Sequence, residues 1–190
     1  YFNGRSYAST PEQPLYLEQG ERYMMYGKSY IVMVALKELI GEETLNQILK
    51  TLVQRHKNEV DATVTSPEFL EELYAATPVE YHSLIEDWFK KIITYDLSVE
   101  DVNYTELTNG SYEITMTIDA SKFESIDGIE LSVSMNEPIP VGLFMTHPSR
   151  ASREQIIFLE PMKVTDGTQT LTFRVDNLPR YVSIDPYGTR

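Results

Sequence analysis

Residues 23–29, with the sequence YMMYGKS, combine two kinds of side chain that could do chemistry. Gly-Lys-Ser closes a phosphate-binding loop in nucleotide-binding proteins, and a tyrosine hydroxyl can donate a hydrogen bond to a developing negative charge. A phosphate loop also needs a glycine five positions before its Gly-Lys pair, because its successive backbone N–H groups must face the phosphates. That position is Arg22, and the preceding LEQGE stretch is too polar for a buried strand. The spacing therefore excludes a phosphate loop.

The two tyrosines of this stretch, Tyr23 and Tyr26, have two interpretations. Tyrosines near the start of a buried helix are usually core residues whose hydroxyl finds one partner. Alternatively, an accessible phenol is a neutral hydrogen-bond donor on a stiff ring. The residue type alone leaves both interpretations open.

Residues that could ligate a metal are scattered along the chain. His56, His82 and His147 are isolated from one another, no His-Glu-x-x-His motif occurs, and the chain has no cysteine. The pairs Glu42-Glu43 and Glu71-Glu72 are typical of a helix start and a solvated helix face. We therefore predict no metal site and no cofactor in this chain, and ordinary surface positions for His56 and His147.

The overall charge excludes one class of partner. The formal net charge is -13, with 16 basic and 29 acidic side chains. Nucleic-acid binding requires a basic surface, so we expect no nucleic-acid partner. The longest apolar run, Tyr30–Leu36, is far shorter than the roughly 20 residues of a membrane-spanning helix. The composition predicts a soluble segment with no direct membrane insertion, and it leaves the compartment open because a chain without cysteines fits any redox environment.

Apolar residues recur at helical spacing between residues 22 and 93. The pattern predicts a helix over Arg22–Ile40 that is ended by Gly41, and a second over Glu42–His56. Thr65-Ser66-Pro67-Glu68 and Thr77-Pro78-Val79-Glu80 each match a capping box with proline in the first turn, so each predicts the start of a short helix.

Two further features complete the helical part. Trp88, the only tryptophan, lies on the apolar face of the last helix and is predicted to anchor the core. The first twenty residues, which contain Pro11 and Pro14, are predicted to form an irregular lead-in.

After Asp96 the apolar period changes from 3.6 to 2. Alternating residues over Tyr112–Asp119 predict a strand with one wet face, and Asn109-Gly110 predicts a hairpin before it. Further strands are predicted near residues 98–107, 129–135, 139–146, 155–159, 168–175 and 180–185. The sequence thus predicts an α+β chain, with a helical subdomain over residues 1–95 and a seven-stranded antiparallel β-sandwich over residues 96–190.

An ordered set of motifs resembles the aminopeptidase-N-like family of zinc peptidases, the gluzincins related to leukotriene hydrolase. In that family a Tyr-Glu-Lys-Gly motif opens a long helix that ends at Gly-Glu-Glu. Tyr26-Gly27-Lys28-Ser29 and Gly41-Glu42-Glu43 stand in this register. Thr65-Ser66-Pro67-Glu68-Phe69 is similar to the family's next helix start, and Trp88-Phe89 to its Trp-Phe or Trp-Tyr helix end. A small β-sandwich follows in the family, so the resemblance covers most of the chain.

The resemblance implies a catalytic role for one residue. In the family, the tyrosine of this motif donates its phenolic hydrogen bond to the oxyanion formed when a peptide carbonyl is attacked. Its spacing to Lys28 and Gly41 selects Tyr26 as the equivalent residue, although Tyr23 lies one turn earlier.

The motif also departs from the family. Gly27 stands where the family has glutamate and Ser29 where it has glycine, so the role of that glutamate does not carry over. We expect Lys28 to be a structural cation on the helix surface, near Glu21 or Glu38.

The resemblance further implies what lies outside the chain. The chain begins at Tyr1 without a signal-peptide pattern, which predicts a piece of a longer protein. Under this hypothesis it is the C-terminal portion of a zinc aminopeptidase-like protein that acts on peptide N-termini, with the zinc motif upstream in the same polypeptide. The chain alone is then inactive, and its partners are the upstream region and a peptide substrate. Two alternatives stay open. The chain is a non-catalytic interaction or scaffold module, and in some similar proteins the peptidase-like region is attached to a membrane transporter-like segment. Alternatively, the sandwich has an independent binding role.

Overall fold

The computed structural model describes residues 1–8, 10–18, 20–58 and 63–190. It divides into two compact units, residues 1–93 with Thr189, and residues 94–188 with Arg190. All α-helices among the described residues lie in the first unit, which we call the helical unit, and all strands pair within the second, the β unit. The predicted α+β class, with helices before antiparallel strands, is confirmed.

The helical unit contains five α-helices in its described part. They are Phe2–Tyr7 (α1), Ser29–Ile40 (α2), Glu42–His56 (α3), Ser66–Ala76 (α4) and His82–Lys90 (α5). Gly41 separates α2 from α3 with a φ of 84°, a left-handed conformation that glycine adopts without a steric penalty. The predicted end of α2 and both ends of α3 are confirmed. The first twenty residues are not irregular throughout, because α1 forms within them.

The two predicted capping boxes have different outcomes. At α4 the box forms, with the Thr65 backbone N–H donating to Glu68 Oε2 at 2.9 Å. That bond, with the Thr65 hydroxyl and His56, lowers the pKa of Glu68 to about 2. The predicted capping box at Thr77 is wrong, because the Thr77 hydroxyl instead donates to the Leu73 carbonyl oxygen at 2.7 Å and closes the end of α4. A 3-10 turn at Val79–Tyr81 then leads into α5.

The core of the helical unit gathers the apolar faces of α2 to α5. Trp88 is buried there, as predicted. The other buried members are Val32, Ala35, Leu36, Leu45, Ile48, Leu52, Leu70, Leu73, Leu84, Ile85 and Phe89. Side chains of this type each contribute about 1.5–3 kcal/mol when fully buried, so this cluster dominates the stability of the unit.

The β unit has seven antiparallel strands in two sheets. They are Ile93–Glu106 (β1), Tyr112–Ile126 (β2), Ile129–Val133 (β3), Asn136–Phe144 (β4), Ile156–Thr165 (β5), Gly167–Val175 (β6) and Tyr181–Ile184 (β7). One sheet places β1, β3 and β6 beside β2, and the other has the order β5-β4-β7. Gly110 has a φ of 81° in the β1–β2 hairpin, as the Asn109-Gly110 signal predicts.

Residues of both sheets share one hydrophobic cluster. On β2, buried and more exposed residues alternate from Ile114 to Ala120, which confirms the predicted period of two. Ile114 lies opposite Phe173 of β6, and Val141 of β4 lies opposite Ile184 of β7. All four belong to the cluster, so each sheet presents an apolar face to the same core.

A charged cluster is also buried in the β unit. Lys122 on β2 donates to Glu137 on β4, and the Tyr95 hydroxyl on β1 donates to the same carboxylate at 2.8 Å. The Lys122 ammonium lies 5.8 Å from the centre of the Tyr95 ring. We call these three residues the Lys122 cluster. The cluster therefore links β4 of one sheet to β1 and β2 of the other.

Candidate functional site

The candidate site lies at the start of the helix that the sequence predicts over Arg22–Ile40. Met24–Lys28 forms a π-helical turn that runs directly into α2, and we call it the Tyr26 turn. The Ser29 N–H closes it by bonding to the Met24 carbonyl oxygen, five residues earlier. π-Helical turns are rare and are frequent at functional sites. The extra residue rotates the side chains before the turn relative to those after it.

Tyr26 is exposed on this turn while its neighbours anchor it. The Tyr26 side chain is 73% exposed, whereas Met24 is fully buried and Lys28 is 6% exposed. Tyr23 is half-buried, with its ring centre 6.0 Å from that of Tyr1. The two interpretations of the tyrosines therefore apply to different residues. Tyr23 packs, and the Tyr26 phenol faces outward from a held backbone.

A buried cluster of charges lies at the end of the Tyr26 turn. The Lys28 ammonium donates to Glu12 Oε1 at 2.6 Å, and the Arg5 Nε–H donates to Glu12 Oε2 at 2.9 Å. The Tyr1 hydroxyl lies 2.7 Å from both carboxylate oxygens. The Glu12 side chain is 4% exposed. We call these four residues the Lys28 cluster, in which three donors satisfy one buried carboxylate.

Burial shifts the titration of two members of this cluster. It lowers the pKa of Lys28, and the Glu12 carboxylate opposes that shift by favouring the charged ammonium. It raises the pKa of Tyr1, and the hydrogen bond to Glu12 adds to the rise. Tyr1 is therefore a neutral donor across the physiological range.

The expectation that Lys28 is a surface cation near Glu21 or Glu38 is wrong. Its partner is Glu12, which lies 16 residues earlier in the chain. No period or motif connects the two positions, because a salt bridge between distant segments leaves no spacing signal. Tyr1, Arg5 and Glu12 were missed by sequence reasoning for the same reason.

The two departures from the family motif have local structural roles. A Cβ added to Gly27 would lie 3.1 Å from the Tyr1 Cα, tighter than most real contacts. The glutamate of the family motif therefore does not fit here unless the backbone at Tyr1 moves. The Ser29 hydroxyl donates to the Met25 carbonyl oxygen, a second bond across the Tyr26 turn.

The described residues do not fit a zinc site. Nowhere in the described part of the chain do three His, Cys, Asp or Glu residues come together. His56 lies 2.9 Å from Glu68, His82 lies 3.0 Å from the Thr77 carbonyl oxygen, and His147 lies 2.9 Å from the Ser149 hydroxyl. Each histidine thus has a local partner.

An apolar groove of about 430 Å³ opens in the helical unit. Ser29, Val32 and Met33 of α2 form one wall, and Phe69 of α4 and Phe89 of α5 contribute to others. The helix that follows the Tyr26 turn thus lines a concave surface.

Within the described residues, no helix is both long and apolar enough to cross a membrane.

No family model and no curated protein matches this sequence. The resemblance to aminopeptidase-N-like enzymes therefore rests on the motif residues and their spacing, and the function has to be argued from the Tyr26 turn.

Proposed function

We propose that this chain is the C-terminal portion of a zinc aminopeptidase-like protein, in which Tyr26 stabilises the oxyanion formed during hydrolysis of a peptide N-terminus. The observation that carries the proposal is the exposed Tyr26 phenol on a π-helical turn whose first and last residues, Met24 and Lys28, are buried. The motif register with Gly41-Glu42-Glu43 supports the same assignment.

In this proposal Tyr26 acts as a preorganised hydrogen-bond donor. When a peptide carbonyl is attacked, negative charge develops on its oxygen, and a phenol O–H aimed at that position stabilises the transition state. A phenol suits this task because it is uncharged near neutral pH and its ring has few rotatable bonds. Removing one such donor typically costs 10²–10³-fold in kcat, about 2.7–4 kcal/mol.

The remainder of the chain has a supporting role in this proposal. The groove along α2 supports an assignment of the helical unit as the floor of a substrate cleft. The cluster shared by the two sheets supports a β-sandwich in the second unit. Zinc is implied for the parent protein by the resemblance alone. We therefore place its ligands upstream in the same polypeptide and expect the isolated chain to be inactive.

The test is the substitution Tyr26→Phe in the complete parent protein, assayed on an aminoacyl anilide. We expect kcat to fall about 10²–10³-fold with little change in KM, because the lost donor acts only in the transition state. The melting temperature should hold, since the Tyr26 hydroxyl is at the surface. Tyr30→Phe, at an equally accessible tyrosine that is 68% exposed, is the matched control and should keep full kcat. Unchanged kcat in Tyr26→Phe, or equal losses in both variants, would refute the assignment.

A second candidate is a non-catalytic interaction or scaffold module with the same fold. It is favoured by Gly27, because a Cβ at this position would lie 3.1 Å from the Tyr1 Cα, so the glutamate of the family motif would require the neighbouring backbone to shift. Under this alternative, the complete parent protein turns over no aminoacyl anilide and retains no zinc after dialysis. Measured turnover with stoichiometric zinc would eliminate it.

A further inference from the structure

We infer that the Lys28–Glu12 ion pair is a positioning device for Tyr26, which holds the π-helical turn that presents the phenol. The inference rests on the proposed function of Tyr26 and gives a role to Glu12, which lies outside the family motif. Lys28 is two positions from Tyr26 and is the last residue of the turn, so its anchorage fixes the backbone on which the phenol is carried.

A π-helical turn needs external support, because it is less favourable than the α-helix that it interrupts. Met24 supplies support at the first residue of the turn by its complete burial. Lys28 supplies it at the last, through the 2.6 Å contact with Glu12. The Tyr26 side chain projects to solvent between these two anchors.

The Lys28 cluster is built to support and not to react. Both Glu12 oxygens already accept hydrogen bonds, from Lys28, Arg5 and Tyr1, so the carboxylate has little capacity left for a substrate proton. The Lys28 side chain is 8% exposed, and its ammonium lies 5.6 Å from the centre of the Tyr1 ring. Neither group reaches solvent as Tyr26 does, which makes them positioning residues.

A double-mutant cycle in the complete parent protein tests this inference. Lys28→Met should lower kcat about 10- to 100-fold with little change in KM, because displacing a reacting group by about 1 Å can cost 100-fold. In the Tyr26→Phe background, the same substitution should lower kcat by less than about twofold, since residues that act as a unit are not additive. Lys28→Arg, which keeps the charged bond, should recover most of the loss.

The matched control is Lys122→Met, which breaks an equivalent buried pair in the β unit. It should lower the melting temperature and leave kcat per folded molecule unchanged. Additive losses in the cycle, or an equal loss of kcat in Lys122→Met, would overturn the inference. An effect of Tyr26→Phe without any effect of Lys28→Met would also overturn it, while leaving the role of Tyr26 intact.

Hydrogen exchange supplies a readout that needs no turnover. In Glu12→Gln, a milder change for use if Lys28→Met does not fold, the amides of residues 25–29 should exchange about tenfold faster or more, while those of α3 stay protected. If Tyr26→Phe retains full kcat, the proposed function fails, and exchange alone then decides whether the ion pair holds the turn. Unchanged exchange at residues 25–29 would show that it does not.

Discussion

The helical unit and the β unit each bury a lysine, a glutamate and a tyrosine in the same mutual arrangement. In both, the lysine ammonium and the tyrosine hydroxyl donate to one carboxylate, and the ammonium lies 5.6 or 5.8 Å from the ring centre. The members are Tyr1, Glu12 and Lys28 in the helical unit, and Tyr95, Glu137 and Lys122 in the β unit.

The surroundings of the two clusters differ. The Lys122 cluster joins three strands, β1, β2 and β4, and its residues lie beside the hydrophobic core. The Lys28 cluster ends a π-helical turn that carries an exposed phenol. A buried ion pair therefore does not by itself mark a functional site. What it holds in place gives it a role, which is a sheet contact in one unit and, in our proposal, a hydrogen-bond donor in the other.

The largest expected effect on stability comes from breaking one pair at a time. Lys122→Met should destabilise the β unit by about 3–5 kcal/mol, because it leaves the buried Glu137 carboxylate with the Tyr95 hydroxyl as a donor but without the lysine countercharge. Lys28→Met should cost less, since Glu12 keeps Arg5 and Tyr1 as donors. Denaturant unfolding measures both, and Trp88 fluorescence reports on the helical unit alone. Equal losses of stability in the two variants, or a Trp88 transition that shifts only with Lys122→Met, would show that the two clusters do not differ in the way described.

A smaller effect is expected when both partners are replaced. Lys122→Met combined with Glu137→Leu should recover about 1–4 kcal/mol relative to Lys122→Met alone, because no buried charge remains unpaired. Lys28→Met combined with Glu12→Leu should recover little stability, because it also takes the carboxylate away from Arg5 and Tyr1, and kcat should stay low. Calorimetry and steady-state kinetics on the double variants separate the two outcomes, and a return of kcat with stability would remove the distinction between the clusters.

The smallest effect is expected at the surface of α5, where the same three residue types meet in the open. Lys90 donates to Glu86 at 2.6 Å and lies 5.2 Å from the centre of the Tyr74 ring. Lys90→Met should cost less than about 1 kcal/mol, and the loss should shrink in high salt, because exposed pairs are screened. Denaturant unfolding at low and high salt checks this. A salt-independent loss as large as that of Lys122→Met would show that burial does not set the scale.

Local signals predicted much of this fold. Gly41, the capping box at Thr65 and the Asn109-Gly110 turn each act through backbone geometry within a few residues, so the structure follows them. Thr77 shows where local signals become ambiguous. Its hydroxyl can cap the helix that follows or close the one before it, and in the structure it closes α4.

The sequence by itself determined the order of the elements, the change of period after Asp96 and the choice of Tyr26 as the residue to test. The first two follow from spacing, which is local, and the third follows from spacing within the resemblance to the aminopeptidase-N-like motif. Only the tertiary structure decided that Tyr26 is exposed, that its turn is π-helical and that Lys28 is buried against Glu12. The reason is that burial and ion pairing depend on which distant segment packs against a helix, and that contact leaves no period in the chain.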